Sequence, residues 1–249
     1  MEAEITSRGA LFPGRGLVEW EELLRFEKKE NSCFDRDEEG AWTAVKTFSE
    51  ETGRSYSLYP TAGAPTMLVS GVPMHRIKGT DPWKDTQEKM KALGAFHGCV
   101  LDTATGLGYT AILASEKAQT VHTVELDPAA VSIARRNPWS EELFSRPGIE
   151  RHLGDSAEVV HRFGNGAFSA VIHDPPEPGL GGDLYSLEFY RELFRVLGRG
   201  GRLFHYVGNP ESPSGARMTR GVVRRLSEAG FGKIVPAPRA FGVTAVKPG

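Results

Sequence analysis

The chain has 249 residues, with 30 Lys+Arg against 32 Asp+Glu, a formal net charge of -2 and 39% hydrophobic residues. That length can bury the core of one large domain, or of one domain with a smaller companion, and the near-neutral balance removes any global electrostatic pull toward nucleic acid or a membrane. Two cysteines, Cys33 and Cys99, argue against a disulfide framework or a cysteine metal site, no apolar run is long enough to span a bilayer, and MEAEITSRGALFPGRG carries no signal-peptide core. A soluble, cytoplasmic protein is the expectation.

In chain order, residues 1–80 are irregular and read as a small N-terminal α+β region capping a substrate site. LVEWEELLRFEKKE reads as an amphipathic helix and AWTAVKTFSEETG as a second, shorter one. SYSLYP, PTMLVSG and VPMHRIKG, separated by Gly and Pro, read as an antiparallel meander. TDPW then marks a helix start, with Thr80 or Asp81 as N-cap and Pro82 in the first turn. The helix WKDTQEKMKALGAF ends near Gly94.

Over 81–249, strands alternate with helices: CVLD, TVHTVEL, IERHLG, FSAVIHD and GRLFHYVG are each followed by a helical segment, and FGKIVPAPR and AFGVTAVKP close as a strand pair. The central strands are continuous apolar runs, as strands covered on both faces must be. The expected fold class is therefore α/β. It consists of a doubly wound, mostly parallel, seven-stranded sheet with a reversed C-terminal hairpin, plus the small N-terminal α+β meander region. Such sheets bind ligands outside the carboxyl ends of their strands.

Those strand ends carry the chemistry. LDTATGLGYT closes a strand on Asp102 and turns through Gly106 and Gly108 into a helix. Glycine is required where backbone approaches a ligand or takes positive φ, although tight turns use it equally. TVELDP places Glu125 where ribose hydroxyls could be accepted, while Asp127 before Pro128 fits an N-cap. HLGDSAEVV places Asp155 before another helix, as cap or as acceptor of an exocyclic amine. AVIHDPPEPG ends the fourth strand on Asp174 and stiffens the chain with Pro175 and Pro176. Four successive strand ends bearing Asp102, Glu125, Asp155 and Asp174 exceed what capping alone explains.

With VLDTATGLGYT in place, the chain from about residue 85 resembles the class I S-adenosylmethionine-dependent methyltransferases. The resemblance implies S-adenosylmethionine as cofactor. Asp102, Ala104, Gly106 and Gly108 would lie around its methionine part, Glu125 and Leu126 at the ribose, and Asp155 and Ser156 at the adenine. Ala104 stands where that family usually has its first glycine. A nicotinamide Rossmann fold would show G-x-G-x-x-G spacing, which TATGLGYT lacks. HDPPE resembles the Asp/Asn-Pro-Pro-aromatic turn of methyltransferases acting on amino nitrogens, with Glu177 in place of the aromatic residue. That resemblance implies Asp174, Pro175 and Glu177 as the catalytic set, with Asp174 also touching the cofactor. The acceptor would be an amine on RNA or on a small cationic molecule.

The run DPPEPGLGGDLYSLEFYRELFRVLGRGGRLFHYVG and the preceding meander also resemble spermidine synthases, which use decarboxylated S-adenosylmethionine. There, Asp174, Glu177 and Asp183 would hold polyamine ammonium groups. That family's Gly-Gly-Gly-Asp-Gly-Gly loop is replaced by TATGLGYT, so the shared architecture is carried over and aminopropyl transfer stays the alternative.

The remaining candidates have plain readings. His173 is either a core histidine or a general base. His75 and His97 lack partner spacing, so no metal site is expected. Trp83 covers the cofactor or fills an interface, and Tyr185 could reach the pocket. Arg217, Arg220, Arg224 and Arg225 read as a solvated helix face rather than a phosphate strip. A homodimer is possible, and no membrane partner is expected.

Overall fold

The computed structural model describes residues 3–12 and 16–249. The chain separates into two units, Met1–Ala44 and Val45–Gly249.

In the first unit, β1 (Glu4–Ile5), β2 (Gly9–Phe12) and β3 (Gly16–Glu19) form an antiparallel sheet. α1 (Trp20–Leu24) follows, and β4 (Phe34–Arg36) pairs with β5 (Trp42–Ala44). The long helix expected over LVEWEELLRFEKKE is thus cut to five residues. Leu17 and Val18 pair with Leu11 and Ala10 across the hairpin, and α1 has no side-chain cap to hold it. The helix expected over AWTAVKTFSEETG is likewise strand: Trp42–Ala44 in β5, then β6 (Lys46–Ser49). Alternating β-branched Thr43, Val45 and Thr47 suit a pleated surface better than a helix.

The second unit opens with the meander, β6, β7 (Arg54–Tyr59), β8 (Thr66–Val69) and β9 (Val72–Pro73), paired antiparallel in that order. α2 (Pro82–Leu93) follows, and the Asp81 carboxylate accepts from the Trp83 and Lys84 amides at its N-terminus. Then come β10 (Cys99–Asp102), α3 (Tyr109–Ser115), β11 (Thr120–Glu125), α4 (Pro128–Arg135), α5 (Glu141–Ser145), β12 (Ile149–Leu153) and α6 (Ser156–Val159). β13 (Phe168–His173), α7 (Pro178–Gly181), α8 (Leu187–Val196), β14 (Leu197–Tyr206), α9 (Pro213–Glu228), β15 (Gly232–Ala237) and β16 (Gly242–Val246) complete it.

The seven sheet strands run in the order β12-β11-β10-β13-β14-β16-β15. The first five are mutually parallel, and β16 runs antiparallel to both its neighbours. This is the doubly wound sheet with reversed hairpin that the alternation of segments predicts. Val100, Leu101, Val121, Val171, Ile172 and Leu203 are at most 2% exposed, because helices cover both faces. Each such aliphatic side chain contributes about 1.5–3 kcal/mol by leaving water. The strand order reverses between β10 and β13, so their carboxyl ends splay and leave a crevice there. Among the described residues, no helix is long and apolar enough to cross a membrane.

Candidate active site

The crevice is a cavity of about 240 Å³ at the carboxyl ends of β10, β11 and β13, closed on its far side by Tyr56, Met67 and His75 of the meander region. Five carboxylates line it (Glu125, Asp127, Asp155, Asp174 and Asp183) against one guanidinium, Arg54. Burial pushes the His75 imidazole down to about 3, with nearby Lys89 acting the same way, so His75 faces the cavity as a neutral ring. The cavity is therefore an acidic chamber.

The turn after β10 forms its floor. Gly106 has φ 52° and nothing within 4 Å of where a Cβ would stand, so the space beside it is open to a ligand. Its amide donates to Glu125 Oε2 at 2.8 Å, and the Asp127 amide donates to Glu125 Oε1 at 3.1 Å. A carboxylate has about four lone-pair positions, so acceptor capacity remains for a ligand. Burial pushes the Glu125 carboxyl up, while these amides oppose the shift. Gly108 does different work: at φ 78° it caps α3, and a Cβ there would lie 2.6 Å from Leu143.

Asp102 lies beneath the turn, not in the cavity wall. It is fully buried and accepts from Thr123 Oγ1 at 2.7 Å and Thr110 Oγ1 at 3.1 Å. Burial pushes its carboxyl up to about 7, against the two threonine hydrogen bonds. Of the other expected cofactor residues, Ala104, Leu126, Asp155 and Ser156 all line the cavity. Leu126 is 45% exposed, Asp155 caps α6 through the Ala157 amide, and Ser156 Oγ donates to the Thr103 carbonyl at 2.6 Å.

At the fourth strand end, Asp174, Pro175 and Pro176 face the cavity, whereas Glu177 is exposed and stands outside its wall. Asp174 is not free. Lys89 Nζ, on α2, lies 2.5 Å from Asp174 Oδ2 and 3.1 Å from Asp85 Oδ2, with the Lys89 side chain 2% exposed. Asp85 also pairs with Arg76 Nε, and Lys89 Nζ sits 4.8 Å from the Tyr206 ring centre. Burial alone would lower the Lys89 pKa, but Asp174 and Asp85 hold the ammonium above its usual range. Asp174 is pushed up by burial, with Lys89 pulling the other way. Tyr185 Oη donates to the Pro176 carbonyl at 3.1 Å and fixes the turn from behind.

His173 is a strap rather than a base. Its Nδ1 lies 2.7 Å from Thr103 Oγ1 and its Nε2 lies 2.9 Å from the Leu184 carbonyl. The carbonyl can only accept, so Nε2 carries the hydrogen and Nδ1 accepts from the threonine. Both nitrogens are thereby used, and burial pushes the imidazole down to about 3. Trp83 packs on Tyr109 and Trp139, at 5.6 and 5.5 Å between ring centres; Tyr109 lines the cavity and Trp83 does not. Arg217, Arg220 and Arg224 are exposed and Arg225 leans on Tyr190, as a solvated helix face requires.

No protein-family model matches the chain. The uncharacterized protein MJ1233 of Methanocaldococcus jannaschii is 48% identical over 195 residues, which is 78% of this chain and 67% of that protein. The chain belongs to the MJ1233 family. A polyamine aminopropyltransferase 2 of Streptomyces coelicolor is 30% identical over 143 residues, 53% of this chain but 26% of that enzyme. Among solved structures, spermidine synthase from Thermotoga maritima superposes with a TM-score of 0.63 at 17% identity, covering 86% of this chain and 78% of that one. MNMC2 from Aquifex aeolicus superposes with a TM-score of 0.57 at 20% identity, covering 80% and 72%. This MJ1233-family chain thus has a class I S-adenosylmethionine-methyltransferase-like fold with spermidine-synthase-like architecture.

Sequence reasoning did not find Lys89, Asp85 or Arg76 at the site. The signal was faint: Asp85, Thr86, Lys89, Met90 and Leu93 recur at helical spacing on the buried face of α2, so two charges share a stripe with apolar residues. Charges on such a stripe need partners, and only the fold supplies them. Asp127 caps α4, as its place before Pro128 predicts, accepting from the Ala129 amide at 2.8 Å. Its other oxygen accepts from Tyr56 Oη at 2.7 Å and Thr52 Oγ1 at 2.6 Å, tying the meander to the sheet.

Proposed function

We propose that the chain is an S-adenosylmethionine-dependent methyltransferase acting on an amine nitrogen, carried by RNA or by a small cationic molecule. The observation that carries this reading is Asp174, pinned by a buried lysine and facing the same cavity as the Gly106–Glu125 turn. The cavity fits the cofactor on three counts. Open space stands beside Gly106, Glu125 has acceptor positions to spare, and the surplus of carboxylates suits a sulfonium and an ammonium.

S-adenosylmethionine, when bound, supplies a methyl group already activated by its sulfonium. The residues then have to position rather than activate. Glu125 would accept hydrogen bonds from the ribose hydroxyls, and Asp155 with Ser156 would border the base. Asp174 accepts a hydrogen bond from the acceptor amine and so aims its lone pair. Lys89 favours the ionised form of that carboxylate against its burial, and Pro175, Pro176 and the Tyr185 hydroxyl hold it still. The meander caps the acceptor side through Tyr56 and Met67.

Aminopropyl transfer is the second reading, favoured by the match to the Streptomyces enzyme and by the acidic chamber. A decarboxylated cofactor has a free amine with no carboxylate beside it and calls for an acidic partner in the turn. The turn here is Thr103-Ala104-Thr105-Gly106-Leu107-Gly108, and Asp102 is buried beneath it. This favours methyl transfer.

Calorimetric titration with S-adenosylmethionine, its demethylated product and the decarboxylated form tests both readings. Methyl transfer expects the first two to bind, and Glu125→Ala to weaken them by roughly tenfold to a hundredfold, the range for losing hydrogen bonds to a charged acceptor. Preference for the decarboxylated form would transfer the assignment to aminopropyl chemistry. Binding of none of the three would overturn both.

A further inference from the structure

Away from the cavity, β11 and the sheet's edge strand β12 carry His122, Glu150 and His152 on one face. His122 stands directly opposite Glu150 in the parallel register, and His152 follows two residues on, so the pleat turns all three the same way. His122 Nδ1 lies 3.0 Å from His152 Nε2 and 3.3 Å from Glu150 Oε2, and the three ligand atoms all fall within 4.8 Å of one another. Among the described residues this is the one such cluster of three or more His, Cys, Asp or Glu.

The spacing has a chemical meaning. Metal–nitrogen bonds of about 2.0–2.1 Å at tetrahedral angles place neighbouring ligand atoms about 3.3 Å apart. Two of the three separations already stand near that value, and the third needs only the Glu150 side chain to swing, which its 58% exposure allows. The imidazoles are held more firmly. Phe163 meets His122 and His152 edge-on, at 5.2 and 5.5 Å between ring centres, and Phe168 meets His122 at 5.5 Å. An aromatic wall behind two imidazoles, with a carboxylate on the solvent side, is the half-dry surrounding in which a metal ligand set works.

We propose that His122, Glu150 and His152 bind one divalent transition-metal ion of the zinc type, with water completing the coordination. Nitrogen and carboxylate donors suit zinc, cobalt and nickel, whereas magnesium and calcium prefer all-oxygen sets. None of the three residues lines the cavity, so the ion is not a reagent there. It clamps the edge strand, otherwise paired on one side alone, to its neighbour β11, whose carboxyl end supplies Glu125.

The test uses tag-free, chelator-treated full-length protein. Zinc chloride is titrated calorimetrically, and cobalt(II) is followed by its visible absorption, which strengthens in a four-coordinate nitrogen–oxygen site. The expected result is one ion per chain, with binding weakened at least tenfold in Glu150→Gln and in His152→Ala, and unchanged in His97→Ala, which alters an exposed histidine elsewhere. Zinc at a hundredfold excess over its Kd should raise the Tm by roughly 5–10 °C in the parent protein. Glu150 is a surface residue, so Glu150→Gln keeps the test alive should a histidine variant unfold. Absence of one-to-one binding, or binding unchanged by Glu150→Gln and His152→Ala, would overturn the site.

Discussion

Replacing Lys89 by Met probes the ion network behind the cavity. Lys89 Nζ sits 2.5 Å from Asp174 and 3.1 Å from Asp85, with side-chain exposures of 2%, 15% and 0% for the three residues. Methionine keeps most of the volume but removes the charge, so two buried carboxylates lose the cation between them. Breaking a buried pair in this way costs about 3–5 kcal/mol, because the uncompensated charge stays behind. The lower end applies here, since Arg76 still pairs Asp85. For a chain of this size each kcal/mol moves the Tm by about 2–4 °C, so the expected drop is about 6–12 °C at pH 7. The pH dependence follows from the sign of the shift. Without Lys89, the Asp174 carboxyl, already pushed up by burial, loses the cation that opposes that shift and rises further, so the folded state takes up protons more readily and the deficit shrinks as pH falls from 7 toward 5. Thermal unfolding followed by circular dichroism at both pH values measures this. A Lys89→Met variant melting within about 2 °C of the parent at both would refute the claim that the lysine holds Asp174 in place.

Other substitutions separate backbone from ligand roles. Gly108→Ala should destabilise by about 1–3 kcal/mol, read by urea unfolding, because φ is 78° and Leu143 occupies the space a Cβ needs. Gly106→Ala shares the strain of a positive φ, 52°, but meets no neighbour, so it should cost less stability than Gly108→Ala while weakening S-adenosylmethionine binding, read by calorimetry on the same protein. Asp102 has a folded-state pKa of about 7, above its unfolded value of about 3.9, so the stability it contributes is full below the lower value and lost as pH rises through 7. Asp102→Asn should flatten the stability-versus-pH curve across that window, as measured by denaturant titrations at half-unit steps. Tyr185→Phe should cost about 1 kcal/mol through the lost bond to Pro176, with a larger proportional loss in transfer rate than in cofactor affinity once an acceptor is in hand.

The amino-acid order by itself determined the sheet and the identity of its functional ends. Continuous apolar runs such as CVLD and FSAVIH can be satisfied only between two helical layers, and each must stop at the carboxyl edge of the sheet, where ligands bind. That local rule placed Gly106, Glu125, Asp155 and Asp174 at the cavity without any contact being known. It failed in the first fifty residues, where LVEWEELL carries a helical stripe but hairpin pairing claims Leu17 and Val18. Partnership was beyond its reach as well. Asp174 and Lys89 are 85 positions apart, Tyr56 and Asp127 are 71 apart, and His122 and His152 are 30 apart. Whether a carboxylate is paired, capped or free depends on which distant side chain the fold brings within 3 Å of it. Only the tertiary structure decided that Asp174 faces the cavity backed by a cation, that Glu177 is exposed outside the cavity wall, and that His173 has no nitrogen left to act as a base.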